Sequence, residues 1–285
     1  MSASRIRTGE RNGVRGLGKI WRASGACHPP YRVILSLSHG DPELTATKSA
    51  LVTGANKGIG REVARRLAVA GFRVWLGARD AERGTAAARA LNAEGLDARW
   101  LKIDVTQDES VTAAVKAVAA EGPCLDVLVN NAGIAIQYDL PPSQQRIADI
   151  QATFEVNVFG PIRVTQGFLP LLLAAPAARI VMVSSYSGSI GRALDTNSES
   201  YRVNMLGYGS SKTALNAITV AFAKELAPKG FKVNAAAPGY TATDLNGYRG
   251  RRTVQQAAEI IVRLATLDAD GPSGGYFDEG GPLPW

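Results

Sequence analysis

Ala50-Leu51-Val52-Thr53-Gly54-Ala55-Asn56-Lys57-Gly58-Ile59-Gly60 runs from a short apolar stretch into a glycine-rich turn. Beyond it, Ile59, Val63 and Leu67 recur every four residues beside Arg61, Glu62, Arg65 and Arg66. The order is strand, glycine turn, amphipathic helix. Glycines at such a turn let backbone amides approach a pyrophosphate closely, and the helix N-terminus adds unpaired donors and partial positive charge. The spacing is G-x-x-x-G-x-G and not the G-x-G-x-x-G fingerprint. Taken alone, the glycines fit a dinucleotide site or a purely structural loop.

Working outward, strand and helix signals alternate. Phe72 to Gly77 predicts a strand, Asp80 to Asn92 an alanine-rich helix, and Ala98 to Ile103 another strand. Val111, Val115 and Val118 mark one helical face, and Leu125 to Asn130 forms the next strand. A long helical region follows from Ser143 to Leu173, interrupted near Pro161, then a strand from Arg179 to Ser184. Leu215, Ile218, Phe222 and Leu226 give the buried face of a helix from Tyr208 to Leu226, before a strand at Phe231 to Ala236. Thr253 and Gln256 have capping-box spacing ahead of a helix with Ala257, Ile261 and Leu264 on its core face, and Tyr276 and Phe277 sit in a last short strand. Apolar strands alternating with helices predict a parallel sheet covered on both faces. There is no internal repeat and no second domain.

The totals set limits. A chain of 285 residues, 46% hydrophobic and 20% charged, is long enough for one large domain with its own core. Cys27 and Cys124 are the only cysteines and His28 and His39 the only histidines. A histidine triad, a histidine-built metal site and a disulfide framework are therefore not expected, and acid–base chemistry falls to Tyr, Lys, Asp or Glu. The net charge of +7 is uneven. Residues 1–47 hold seven basic against three acidic residues, so +4 sits in the first sixth of the chain and +3 in the rest. That arm, rich in glycine and proline, reads as a flexible basic extension preceding a domain at 48–285, with Tyr31 to Ser38 apolar enough for a short strand or docked segment. It resembles an organellar transit peptide in being rich in Arg and Ser, but its glycines oppose an amphipathic helix and it lacks the apolar core of a secretory signal. An extension without a folded role and a cytoplasmic location are the expectation. The longest apolar run, Leu169 to Ala178, is broken by Pro170 and Pro176, so no membrane span is expected. Nucleic acid is not an expected partner either.

Tyr208-Gly209-Ser210-Ser211-Lys212 places a phenol and an ammonium four residues apart, on one face if the stretch is helical. A cation within reach lowers the pKa of a phenol, which brings a proton donor and acceptor towards working pH. Tyr201 is a rival tyrosine, but four residues after it comes Met205.

Together these stretches carry a resemblance. From Lys48 to Trp285 the chain resembles the short-chain dehydrogenases/reductases, within them the carbonyl-reductase-like branch. Thr53 to Gly60 matches the family's T-G-x-x-x-G-x-G turn, Asn130-Asn131-Ala132-Gly133 its N-N-A-G, and Asn157 lies in a matching N-V-F-G. Ser185 ends a matching strand, Tyr208 and Lys212 match Y-x-x-x-K, and Pro238 to Thr243 match P-G-x-x-x-T. The resemblance implies a doubly wound, Rossmann-type parallel sheet of about seven strands, with the cofactor across its carboxyl ends. It implies that Tyr208 passes a proton to or from the substrate oxygen and that Lys212 holds the nicotinamide ribose and lowers the phenol's pKa. Ser185 would contact the carbonyl oxygen, and Asn157 would position a water leading from Lys212 to solvent. Gly54, Asn56, Lys57, Gly58, Ile59, Gly60, Asn131, Ala132, Gly133, Pro238, Gly239, Thr241 and Thr243 are implied to line the cofactor site with Asp104 and Val105, Asp104 against the adenine ring.

Cofactor choice follows from charge. An NAD enzyme of this kind carries an acidic residue at the end of the second strand; here that position is Ala78, followed by Arg79. With Lys57 in the turn, two cations are placed to meet a 2′-phosphate, so NADPH is expected over NADH. The implied activity is reduction of an aldehyde, ketone or quinone. An alcohol dehydrogenase working in the oxidising direction uses the same residues, and a non-catalytic NADPH-binding protein is the remaining alternative. Ser185 and Tyr208 are 23 residues apart, more than is usual in the family, which puts an insertion around Arg192 to Met205 on the substrate side. That insertion leaves monomer or homo-oligomer open. Asp244 to Arg252 resembles the family's mobile substrate loop.

Overall fold

Alternation of side chains along buried strands explains why the sheet is covered twice. In the computed structural model, which describes residues 47–198, 201 and 204–285, strand β1 (Ser49–Thr53) sends Leu51 into one apolar cluster and Val52 into another on the opposite face. Helix α1 (Gly58–Val69) and helix α2 (Ala81–Ala93) cover the Val52 face with Leu67 and Leu91, joined by Ile261 and Leu264 of α8 (Val254–Ala265). Helices α3 (Asp108–Ala119), α5 (Gly160–Ala174) and α7 (Leu206–Leu226) cover the Leu51 face with Val111, Phe168 and Leu215, and a one-turn α6 (Ile190–Ala193) precedes α7 in the chain. The basic arm, including the expected strand at Tyr31 to Ser38, lies outside the described residues, as does part of the segment from Arg192 to Met205.

The remaining strands are β2 (Arg73–Ala78), β3 (Ala98–Lys102), β4 (Val127–Asn130), β5 (Arg179–Val183), β6 (Lys232–Ala236), β7 (Tyr276–Asp278) and β8 (Gly281–Pro282). They form one sheet in the order β3-β2-β1-β4-β5-β6-β7-β8. Seven strands are parallel, as expected, and the two-residue β8 closes the edge antiparallel to β7. The chain builds outward from β1 to β3 and then returns to the other side of β1, where β4 pairs with it. The carboxyl ends of β1 and β4 therefore border a crevice, the place where open α/β sheets bind ligands.

The helical region is interrupted near Pro161, as expected, but it does not end there: α4 (Ile147–Phe154) passes into α5 through a wider π turn at Glu155–Phe159, so the helix runs from Ile147 to Ala174. Pro161 has no N–H to donate back along this helix, and the π turn that precedes it absorbs the lost bond. By length and composition this helix is apolar enough to cross a membrane, which the Leu169 to Ala178 run alone is not. Half of its most apolar window is buried, with Val164, Phe168 and Leu172 in the core.

Candidate active site

The glycine turn is shaped by contacts that leave no room for side chains. Gly54 and Gly58 adopt φ of +65° and +56°. A methyl group on Gly60 would lie 2.4 Å from Asn131 Nδ2 and 2.6 Å from the Gly54 carbonyl oxygen. The N-N-A-G stretch clamps this turn to the sheet. Asn131 Nδ2 donates to the Thr53 carbonyl at 2.8 Å, and Thr53 Oγ1 accepts from the backbone amides of Asn131 and Ala132, both at 3.0 Å. Asn130 is buried and donates to Thr165 Oγ1 at 3.0 Å, a structural contact. Lys57 caps α1 in an extended conformation without a side-chain cap, so the first helical amides keep no side-chain partner.

From this turn a cavity of about 1790 Å³ extends along the carboxyl ends of the strands. Its lining brings together Gly54, Asn56, Lys57, Gly58, Ile59, Gly60, Arg79, Asp104, Val105, Asn131, Ala132 and Gly133 with Ser185, Tyr208, Lys212, Pro238, Gly239, Thr241 and Thr243. Every lining residue expected from the sequence is there. Asn157 stands behind the wall, fully buried.

At the inner end, α7 presents Tyr208 and Lys212 on one face, with the Lys212 nitrogen 5.7 Å from the phenol ring centroid. Lys212 is buried and donates to the Val183 carbonyl at the end of β5, at 2.8 Å. Burial lowers its pKa to about 8. The Ser185 side chain lies against the Tyr208 phenol, so the two residues meet across their 23-residue separation. Burial of Tyr208 raises its pKa above the ordinary tyrosine value, and the Ser185 contact pulls the other way. The expected lowering of the phenol by Lys212 is not found: loss of hydration raises the phenol, and the lysine itself titrates low because it too is desolvated.

Asn157 is held by the π turn. Its Oδ1 accepts from the Ile134 amide at 2.9 Å, and its Nδ2 donates to the Ile134 carbonyl at 2.8 Å and to Ser211 Oγ at 3.0 Å. Gly133 is where Asn157 and Lys212 converge: a methyl there would be 3.3 Å from Asn157 Oδ1 and 3.5 Å from Lys212 Nζ.

At the outer end, the geometry changes the cofactor reading in one respect. Lys57 does not converge with Arg79; its ammonium pairs with Asp244, which the Tyr248 hydroxyl also contacts. The two residues are 187 positions apart, so the glycine turn and the Asp244 loop touch across the cavity mouth. Arg79 makes no ion pair among the described residues. Asp80, its neighbour, is taken up as the N-cap of α2, accepting from the Arg83 amide at 2.9 Å. Arg83, in the first turn of α2, also lines the cavity and was missed from the sequence; Arg79 stands just before the N-cap of that helix. Arg249 was read only as part of a loop; it donates to Tyr138 Oη at 2.6 Å across the substrate side.

These residues fit a phosphorylated dinucleotide. The turn packs so closely on Asn131 that Gly60 admits no Cβ, α1 offers amides without a side-chain cap to the cavity, and no carboxylate stands at Ala78 to oppose a 2′-phosphate. The short chain dehydrogenase family matches residues 48–253. The chain belongs to the short-chain dehydrogenases. As a member, it is an NAD(P)-dependent oxidoreductase acting on alcohol and carbonyl groups. Short-chain dehydrogenase anuI of Penicillium roqueforti is 39% identical, over 76% of this chain and 87% of its own length. Carbonyl reductase [NADPH] 1 of Sus scrofa is 34% identical, over 84% and 94%. NADPH-bound carbonyl reductase from chicken fatty liver superposes with a TM-score of 0.74 at 27% identity, covering 85% of this chain and all of that one. Among short-chain dehydrogenases the chain is therefore of the carbonyl-reductase-like kind.

Proposed function

We propose that this short-chain dehydrogenase is an NADPH-dependent reductase of small or medium aldehydes, ketones or quinones. The observation that carries the reading is the meeting of Tyr208, Ser185 and Lys212 at one end of a cavity whose other end holds the glycine cradle and Arg79. NADPH, when bound, supplies a hydride. Everything else falls to the chain's own residues. The Tyr208 hydroxyl and Ser185 Oγ stand side by side; turned to one substrate oxygen, each donates its single hydrogen to it, and together they stabilise negative charge as it develops there. Tyr208 then gives up its proton to that oxygen. Its raised pKa keeps it protonated, which suits a donor. Lys212, held by the Val183 carbonyl, brings positive charge beneath the phenol and offers its remaining hydrogens to ribose hydroxyls. Asn157, fixed by Ile134 and Ser211, shapes the route by which Lys212 and Tyr208 recover a proton. Arg79 and Arg83 receive the 2′-phosphate, and Thr241 and Thr243 border the nicotinamide end.

The test is a panel of carbonyls and alcohols followed by nicotinamide absorbance with NADPH, NADH and their oxidised forms. The reading requires NADPH oxidation with at least one carbonyl and a clear preference over NADH. Turnover only of alcohols, or only with NADH, overturns it.

A further inference from the structure

Ser185 lies beyond the end of β5, where the sheet no longer holds the chain; the last ladder bond there runs from the Ser184 amide to the Ala236 carbonyl at 2.7 Å. Its placement comes from a local turn, in which Ser185 Oγ accepts from the Ser187 amide at 3.3 Å, and from a distant segment that holds this turn. The Tyr276 hydroxyl donates to the Ser185 carbonyl at 2.5 Å, the Tyr186 hydroxyl donates to Asp278 Oδ2 at 2.8 Å, Ser189 Oγ donates to the Pro284 carbonyl at 2.7 Å, and the Gly191 amide donates to the Trp285 carbonyl at 3.0 Å. Four contacts in chain order tie residues 185–191 to residues 276–285.

We propose that Tyr276 is a positioning residue for Ser185: its hydroxyl fixes the Ser185 backbone so that Oγ stays aimed at the substrate oxygen beside Tyr208. The inference rests on the carbonyl-contact role given to Ser185 above. The Ser185 carbonyl accepts two bonds, from the Gly188 amide at 2.8 Å and from Tyr276, so both of its lone pairs are spent and its plane is set. The tyrosine is itself held. It is 2% exposed, its ring stacks on Trp285 at 5.5 Å and 16°, and its carbonyl accepts from the Leu283 amide at 2.7 Å. A phenylalanine would fill the same space, so the hydroxyl does something that packing does not require. Burial pushes this phenol above the ordinary tyrosine range, and it remains a donor at any working pH.

A double-mutant cycle tests this on the full chain, with Tyr276→Phe, Ser185→Ala and the pair, reading kcat for a carbonyl, the Kd for NADPH by fluorescence, and thermal melting. Tyr276→Phe is expected to lower kcat about 5- to 30-fold, the factor that 1–2 kcal/mol represents, while the NADPH Kd stays within about 2-fold. In the Ser185→Ala background, the same substitution should change kcat by less than about 2-fold, because residues acting as a unit are not additive. A wild-type kcat for Tyr276→Phe, or an equal fold-loss in both backgrounds, overturns the inference and leaves the Ser185 role intact. Full activity in Ser185→Ala overturns the role of Ser185 and this inference with it. Should Tyr276→Phe melt below assay temperature, the cycle is run at a lower temperature at which all four proteins are folded, and the same fold-losses decide it.

Discussion

The Lys212 ammonium stands 5.7 Å from the centroid of the Tyr208 ring and is fastened there by the Val183 carbonyl. The arrangement desolvates both groups, and it makes the pH dependence of the enzyme specific. With Lys212 titrating at about 8, its positive charge is present below that pH and lost above it, while Tyr208 stays protonated across the same range. The kcat/KM for NADPH in carbonyl reduction, which reports free-enzyme ionisations, should be flat below pH 8 and fall above it. Lys212→Arg keeps its charge and should abolish the fall. A profile that first breaks near the ordinary lysine value would contradict this.

Stability carries the same signature with its own sign. The folded pKa of Lys212 lies below the ordinary lysine value of about 10.4, so between these values the unfolded chain binds more protons than the folded one. Stability contributed by this site therefore rises with pH from 8 towards 10. Urea denaturation should show that rise in the wild type and lose it in Lys212→Met.

Arg79 governs the choice of cofactor if it meets the 2′-phosphate. Arg79→Ala should weaken NADPH binding about 10- to 100-fold, as expected for loss of hydrogen bonds to a charged group, with NADH changed less than about 2-fold. Fluorescence titration with both cofactors distinguishes this from a general loss of binding, in which the two fall together.

The pairing of Lys57 with Asp244 predicts an effect of opposite direction. Both partners are exposed, so Asp244→Asn should leave the melting temperature nearly unchanged. It releases Lys57 towards the cofactor phosphates, and NADPH should bind a few-fold more tightly at low salt, with the gain disappearing as salt rises. Weaker binding in the variant would mean that Asp244 supports the site and does not compete for the lysine.

Helix α8 offers a purely structural check. Thr253 Oγ1 accepts from the Gln256 amide at 3.2 Å, and Gln256 Oε1 accepts from the Thr253 amide at 2.9 Å, the capping box read from the sequence. Thr253→Ala should cost about 1 kcal/mol in chemical denaturation.

What the sequence disclosed was local. The turn from Thr53 to Gly60, the four-residue spacing of Tyr208 and Lys212 and the capping box each lie within one turn or one helix, so spacing alone carries them. Parallel strands were legible because apolar runs such as Ile180 to Val183 are buried on both faces and leave no polar alternation. The π turn at Glu155–Phe159 was not, because Pro161 signals a lost bond without saying whether the helix stops or widens. Lys57 with Asp244 and Tyr276 with Ser185 are 187 and 91 residues apart, and no periodicity joins them. The direction of the Tyr208 shift also escaped, since burial is a property of the packed site and not of a motif.

The role of Tyr208 is tested most directly by Tyr208→Phe, which removes one hydroxyl and keeps the ring. NADPH affinity by fluorescence should be retained, and the rate of NADPH oxidation with a carbonyl that the wild type reduces should fall by about 100-fold or more, the contribution of a positioned proton donor. An undiminished rate in that variant would contradict the account.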